Sequence, residues 1–410
     1  MAQPLCLGCG APLTRTWIDL GMSPLSNAFL RPEQALLPEP TYPLHARVCD
    51  ACLLVQVESV VPPDAIFHAD YAYFSSFSES WLDHCRLYVE AMSERFGLDK
   101  ESKVIEVASN DGYMLQYFVG RGIPVLGIEP SSNTAAVAID RGVPTEVQFF
   151  GLETALALVG RGEQADLLAA KNVLAHVPDL NDFVAGVATV LKPEGVFTVE
   201  FPHLLRTIEG IQFDTIYHEH FTYLSLLAIE RIFDRHGLRV FDVEEIATHG
   251  GSLRVFVCHK RAAHLPTPKV DAVRHAEIAA SLHRPEGYAG FADRARRVRD
   301  GLLAFLRLAK QQGRRVAGYG AAAKGNTLLN FAGVTPDLLP FVVDRNPAKQ
   351  GRLCPGSRIP VLPPEALLEE RPDFVLILPW NIRSEVEAQM SAIRAWGGRF
   401  VIAVPEIRIS

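Results

Sequence analysis

Twice along the chain an apolar run breaks into a turn and then into helical spacing: "KVIEVASNDGYMLQYFVGRG" and, two hundred residues on, "RRVAGYGAAAKGNTLLNFAG". A buried strand that leads directly into a helix needs a crossover, which favours parallel pairing with the next strand. The pattern continues through "PVLGIEP", "SNTAAVAIDRG", "ADLLAAKNVLAHV", "LNDFVAGVATVLKPEG" and "VFTVEFP", read as strand, helix, strand into loop, helix and strand. This predicts a doubly wound parallel sheet. "TYLSLLAIERIFDRHGLRVFDVEEI" adds a helix and a strand, and "GGSLRVFVCHK" a further strand. After a proline-bearing linker, residues 271–313 read as helical with breaks at Pro285 and Gly287. The second unit then runs through "PFVVDRN", "PPEALLEE", "DFVLILP" and "SEVEAQMSAIRAWGG" to "RFVIAVP", expected as its final strand.

At 410 residues the chain is long enough for two or three domains. The expected division is 1–70, 71–260 and 261–410. With 48% hydrophobic and 21% charged residues it is of globular type. A formal net charge of −7 argues against a protein built to grip nucleic acid. Neither a secretory signal nor a membrane-spanning run is visible, so a soluble cytoplasmic protein without a membrane partner is expected. The oligomeric state, down to a monomer, stays open.

Four of the seven cysteines form two pairs, Cys6-x2-Cys9 and Cys49-x2-Cys52, in a proline-rich segment short of apolar residues. A reducing compartment disfavours disulfides, and Cys-x2-Cys presents two thiolates to one ion. A structural zinc site is expected, closed by four sulfurs and therefore not catalytic.

In the first α/β unit, "VIEVASNDG" puts Glu106, Ser109, Asn110, Asp111 and Gly112 at the end of a strand, where open sheets bind ligands. Glu129 and Pro130 in "GIEP" end the next strand, and a carboxylate there can accept hydrogen bonds from two ribose hydroxyls. The glycine spacing is poor for a dinucleotide and suggests a divergent S-adenosylmethionine site, although such carboxylates can also just cap a helix. Asn172 follows a later strand and is expected near the adenosine. His176 lies just beyond, either in the cleft or as a packed histidine.

The loop "GYGAAAKGNT" can cradle a diphosphate with its N–H groups, helped by Lys324. Gly320, Ala321, Lys324, Asn326 and Asp344 are the candidate substrate ligands. Asp344 stands 24 residues beyond Gly320, about where an NAD ribose ligand sits, so a dinucleotide and a tight turn with no ligand both remain open.

"FDTIYHEHFTYLS" crowds six groups able to exchange protons into thirteen positions. Its histidines are two apart, not the spacing of a zinc helix, though on a strand or loop His218 and His220 can point the same way. Acid–base chemistry is the better expectation, since an imidazole titrates near neutrality. On a helix Tyr217 and His220 would share a face, and Glu219 could orient a ring or bind a substrate hydroxyl or amine.

The stretches "CLGCG", "LGMSPLSNAFL", "YPLHARVCDACLLVQV", "YAYFSSFSESWLDH", "VIEVASNDGYMLQ", "GIEPSSNTA", "DTIYHEHFTYLS", "THGGSLRVFV" and "GYGAAAKGNTLLN" occur in this order over nearly the whole chain. Together they resemble the sugar C-methyltransferases that act on nucleotide-linked 4-keto-deoxysugars in making antibiotic and surface sugars. The resemblance implies an amino-terminal zinc domain, a central S-adenosylmethionine domain of Rossmann-like form and a carboxyl-terminal Rossmann-like domain that helps hold the nucleotide-sugar. It implies His220 as base, with Tyr217, Glu219, His176 and Tyr71 in the active site; Ser78 joins the cofactor candidates. The expected reaction is deprotonation beside the ketone of a dTDP-linked sugar, with Tyr217, His176 or both donating to the oxyanion, followed by methylation. The rivals are an NAD-dependent oxidoreductase and a zinc-stapled nucleotide- or nucleic-acid-binding module.

Overall fold

The structure, a computed structural model, describes residues 3–58, 61, 75–77 and 79–410. Tyr71 and Ser78 lie outside the described residues. The amino-terminal part forms an antiparallel meander of β1 (Arg15–Ser23), β2 (Tyr42–Val48) and β3 (Val55–Val57). In β2, Leu44, Ala46 and Val48 are buried while Pro43, His45 and Arg47 are not, the period of two that a one-faced sheet demands.

Next come β4 (Val104–Val107), β5 (Val125–Ile128), β6 (Thr145–Glu146), β7 (Ala165–Lys171) and β8 (Leu191–Pro202), all parallel. A two-residue strand, β9 (Thr222–Tyr223), then leaves this unit and completes the first sheet beside β3. β10 (Leu238–Ile246) and β11 (Ser252–His259) return antiparallel, giving the order β10-β11-β8-β7-β4-β5-β6. β4 and β5 are buried at every position because helices cover both faces, as their unbroken apolar runs require. The strand order reverses at β4, and an open sheet has its ligand crevice at such a point.

The third sheet holds β12 (Val316–Tyr319), β13 (Val342–Val343), β14 (Val361–Leu362), β15 (Phe374–Ile377), β16 (Arg399–Ile402) and β17 (Arg408–Ile409), in the order β14-β13-β12-β15-β16-β17. "RFVIAVP" is therefore not the final strand: the chain turns back after it and β17 pairs antiparallel with β16.

The parts share cores. The helix Phe291–Gln311 buries Phe291, Ala295, Val298, Leu302, Leu306 and Ala309, one stripe at helical spacing. Trp17 of β1 stacks on Phe291 with ring centroids 4.2 Å apart, so the small sheet and the carboxyl-terminal unit bury one apolar cluster together. The helix Pro268–Ala279 packs back towards the central unit, where the carboxylate of Glu277 accepts from the N–H groups of Leu226 and Leu227 at the start of the next helix inward. Among the described residues no helix is long and apolar enough to cross a membrane.

Candidate active site

One cysteine pair precedes β1 and the other lies between β2 and β3, at the same end of the small sheet, and the two converge. Cys6 Sγ lies 3.5 Å from Cys52 Sγ, Cys9 Sγ lies 3.5 Å from Cys49 Sγ, and all four sulfurs fall within 4.8 Å of one another. Four thiolates at Zn–S bonds of about 2.3 Å would stand roughly 3.8 Å apart, so the set fits a tetrahedral zinc with no open position.

At the end of β4 the turn takes positive φ at Ala108 (53°), Asn110 (49°) and Gly112 (76°), a backbone most side chains avoid. Glu129 braces it, accepting from the N–H of Asn110 at 2.9 Å and of Ser131 at 2.8 Å. Burial raises the pKa of this carboxyl. Gly112 serves packing: a Cβ there would meet Val143 Cγ2 at 3.0 Å. Asn110 Oδ1 accepts from Ser75 N at 2.9 Å, and Asp111 accepts from Ser76 Oγ and from Arg141 at 3.2 Å, so these two fasten the segment entering the helix Glu79–Phe96. Glu106 is fully buried on β4; burial, with Tyr113 beside it opposing, pushes its carboxyl well above the usual range. Pro130 forms a half-buried rim. Among the described residues, Ser109 Oγ, Asp111 Oδ1 and Asn172 Oδ1 are buried without a hydrogen-bond partner. Native interiors rarely leave such atoms orphaned, so the cluster fits a polar ligand such as S-adenosylmethionine.

The tyrosine–histidine segment is not a helix. A single turn over Phe213–Thr215 gives way to irregular backbone and then to β9. Tyr217 and His220 nevertheless meet, with Tyr217 Oη 2.9 Å from His220 Nε2. His220 Nδ1 lies 3.0 Å from the carbonyl of Thr215. A carbonyl only accepts, so the ring proton is on Nδ1, and Nε2 carries the lone pair. Burial and the neighbouring His176 ring, 4.7 Å away between centroids, hold the pKa of His220 well below its usual value. His176 is locked in the same tautomer by Glu219 O, 2.6 Å from its Nδ1, and burial lowers it to about 4. A neutral His176 with its proton on Nδ1 has its lone pair at Nε2. Glu219 accepts from Asn27 Nδ2 at 2.7 and 3.0 Å, and burial raises it to about 7. His218 turns away to the carbonyl of Pro43 at 3.2 Å, so the two histidines diverge; among the described residues the cysteine set alone has the proximity for a metal.

In the carboxyl-terminal loop the expected diphosphate donors are already engaged. The N–H groups of Gly320, Ala321 and Ala322 donate to Val343 O, Asp344 Oδ2 and Gly320 O at 2.7, 2.7 and 2.9 Å. Asp344 also accepts from Asn346 N at 2.8 Å and so fastens the loop. Asn326 is fully buried and donates to Ser26 O at 2.7 Å, tying on the amino-terminal part instead of facing open space. Lys324 keeps its candidacy but in a different place. Its Nζ donates to Asn381 Oδ1 at 2.7 Å and lies 4.9 Å from the ring centre of Trp380, whose Nε1 donates to Asp214 Oδ2 at 2.7 Å. Its charge reaches the tyrosine–histidine segment: burial raises Asp214, Lys324 opposes, and the carboxyl stands at about 6, while Lys324 also helps to depress His220 and His249.

Three residues of this site carried no expectation from sequence: Asn27, Trp380 and His249. The first and last lie in the stretches "LGMSPLSNAFL" and "THGGSLRVFV", the one signal available for them.

Three family models match in chain order: "Putative zinc binding domain" over residues 6–67, "Methyltransferase domain" over 81–243 and "C-methyltransferase C-terminal domain" over 247–405. The chain is 37% identical over 407 residues to C-methyltransferase NovU of Streptomyces niveus, covering 98% of this chain and 96% of that one. It is 23% identical over 159 residues to a ubiquinone biosynthesis O-methyltransferase of Rhodopseudomonas palustris (strain BisA53), covering 34% of this chain and 63% of that one. Among solved structures, PH0226 protein from Pyrococcus horikoshii OT3 aligns at a TM-score of 0.37 and 14% identity, covering 48% of this chain and 99% of that one.

Fold, crevice and domain matches together define an S-adenosylmethionine-dependent methyltransferase that carries a four-cysteine zinc-binding domain. On the full-length match, the chain belongs to the sugar C-methyltransferase family.

Proposed function

We propose that the enzyme methylates the carbon beside the ketone of a dTDP-linked 4-keto-deoxysugar, in the making of an antibiotic or surface sugar. The observation that carries this is the tautomer-locked His220, whose Nε2 lone pair meets the Tyr217 hydroxyl 2.9 Å away. The ketone makes its neighbouring C–H acidic. His220 Nε2 takes that proton, and the electron pair moves onto the carbonyl oxygen. The Tyr217 hydroxyl swings from Nε2 to donate to that oxygen, and the Lys324 ammonium adds positive potential in the cleft. His176 Nε2 and Glu219 accept from hydroxyl or amine groups of the sugar. S-adenosylmethionine supplies an electrophilic methyl group. The residues at the ends of β4 and β5 hold it so that the enolate carbon faces that methyl in line.

His220→Asn tests the base. Turnover on a panel of dTDP-4-keto-deoxysugars should fall by roughly 10²–10⁴, the usual worth of a general base. Thermal stabilisation by S-adenosylmethionine should persist. Normal turnover by the variant would remove His220 from the mechanism, and stabilisation by NADH but not by S-adenosylmethionine would favour the oxidoreductase rival.

A further inference from the structure

We propose that His249, in the turn between β10 and β11, is a positioning residue for the methyl donor: it fixes the Asn172 amide with its oxygen towards the crevice, where that oxygen accepts from the α-ammonium group of S-adenosylmethionine. Asn172 follows β7 directly, and its Nδ2 lies 3.1 Å from His249 Nε2. An amide nitrogen has hydrogens to give and no lone pair to offer, so Nε2 accepts and the His249 proton sits on Nδ1. The bond decides which end of the amide faces which way. Among the described residues Asn172 Oδ1 is left buried and without a hydrogen-bond partner. An acceptor in that condition calls for a donor in the working enzyme.

The sheet order indicates which donor. Glu129, the acceptor for ribose hydroxyls, stands at the end of β5, and Asn172 stands at the end of β7, with β4 between them. Two strand spacings are about 10 Å, which carries the ligand from its ribose towards its amino-acid end. On this proposal Asn172 serves the amino-acid portion.

The local backbone is consistent with a functional demand. Asn172 (φ 56°) and His249 (φ 55°, ψ 19°) are both left-handed non-glycine residues, and each is hydrogen-bonded to the other. Strain of this kind persists where the surroundings over-determine it. Here the turn is gripped from behind. A Cβ on Gly250 would lie 2.5 Å from Trp380 Cη2, one on Gly251 would lie 2.8 Å from Arg206 Cγ, and Gln212 Nε2 donates to Gly250 O at 2.8 Å.

Calorimetric titration of the full-length zinc-loaded enzyme with S-adenosylhomocysteine and with 5′-methylthioadenosine, which lacks the amino-acid portion, tests this. His249→Phe keeps the ring bulk and removes the acceptor. It should weaken S-adenosylhomocysteine about tenfold, the worth of one hydrogen bond to a charged group, and leave 5′-methylthioadenosine within about twofold. His249→Gln, which restores an acceptor oxygen, should recover most of the loss and guards against a His249→Phe variant that does not fold. Equal weakening of both ligands in either variant, or no weakening of S-adenosylhomocysteine by His249→Phe, overturns the proposal.

Discussion

A carboxyl group held at about 7 titrates where the enzyme works, and Glu219 is such a group. Its pKa is raised in the folded state, so the folded chain binds a proton that the unfolded chain has already released. The sign follows: this contribution to stability is complete below about pH 4.5 and is lost as pH rises through 7. Glu219→Gln should therefore gain on the unmodified enzyme between pH 5 and pH 8, by up to about 3 kcal/mol, in urea unfolding at each pH. A gap independent of pH would show that Glu219 is not held neutral by its surroundings. In turnover, His220 should contribute no acid limb at its ordinary value, because its lone pair stays free well below it. Residue types were legible at this scale: the cysteine pairs, Glu129 and the Tyr217–His220 pair were all visible in the chain. Which way each nitrogen faced was not, because tautomers are set by carbonyls such as Thr215 O and Glu219 O that only the folded backbone brings near.

The element around Phe213–Tyr223 owes its shape to neighbours and not to its own hydrogen bonds. Thr327 Oγ1 donates to Ile216 O at 3.0 Å, Phe221 N donates to Ala175 O at 2.7 Å, and β3 holds Thr222 and Tyr223. Helical spacing misleads here, since these partners lie far away in the chain, Thr327 by 111 positions and β3 by more still. The regular strands and helices were readable because their periodicity is local. Thr327→Val keeps the shape and removes the donor to Ile216 O. It should cost about 1 kcal/mol in urea unfolding and lower kcat, while S-adenosylmethionine affinity stays unchanged. Unchanged kcat would mean that the segment does not depend on the helix Ala323–Ala332 for its placement.

At the scale of the molecule a glutamine links the zinc-binding part to the chemistry. Gln56 donates to Cys6 Sγ at 3.2 Å, accepts from Leu7 N at 2.8 Å and sits in β3 opposite Thr222, two residues from His220. Asn27 reaches from the same part to Glu219. Chelating the zinc should abolish turnover without touching any group in the crevice, and loss of activity should track loss of bound zinc in a titration. Full activity in a zinc-free enzyme would break this connection. No sequence signal announced that these loops meet, since each lies in a different stretch and contact between distant loops leaves no local pattern. The same pairing has a consequence for synthesis. The small sheet is made first, yet its last strand is residues 222–223 and the ring that covers Trp17 is Phe291. A nascent chain must carry an open sheet edge and a bare indole through most of translation, so the earliest part to leave the ribosome is among the last to be closed.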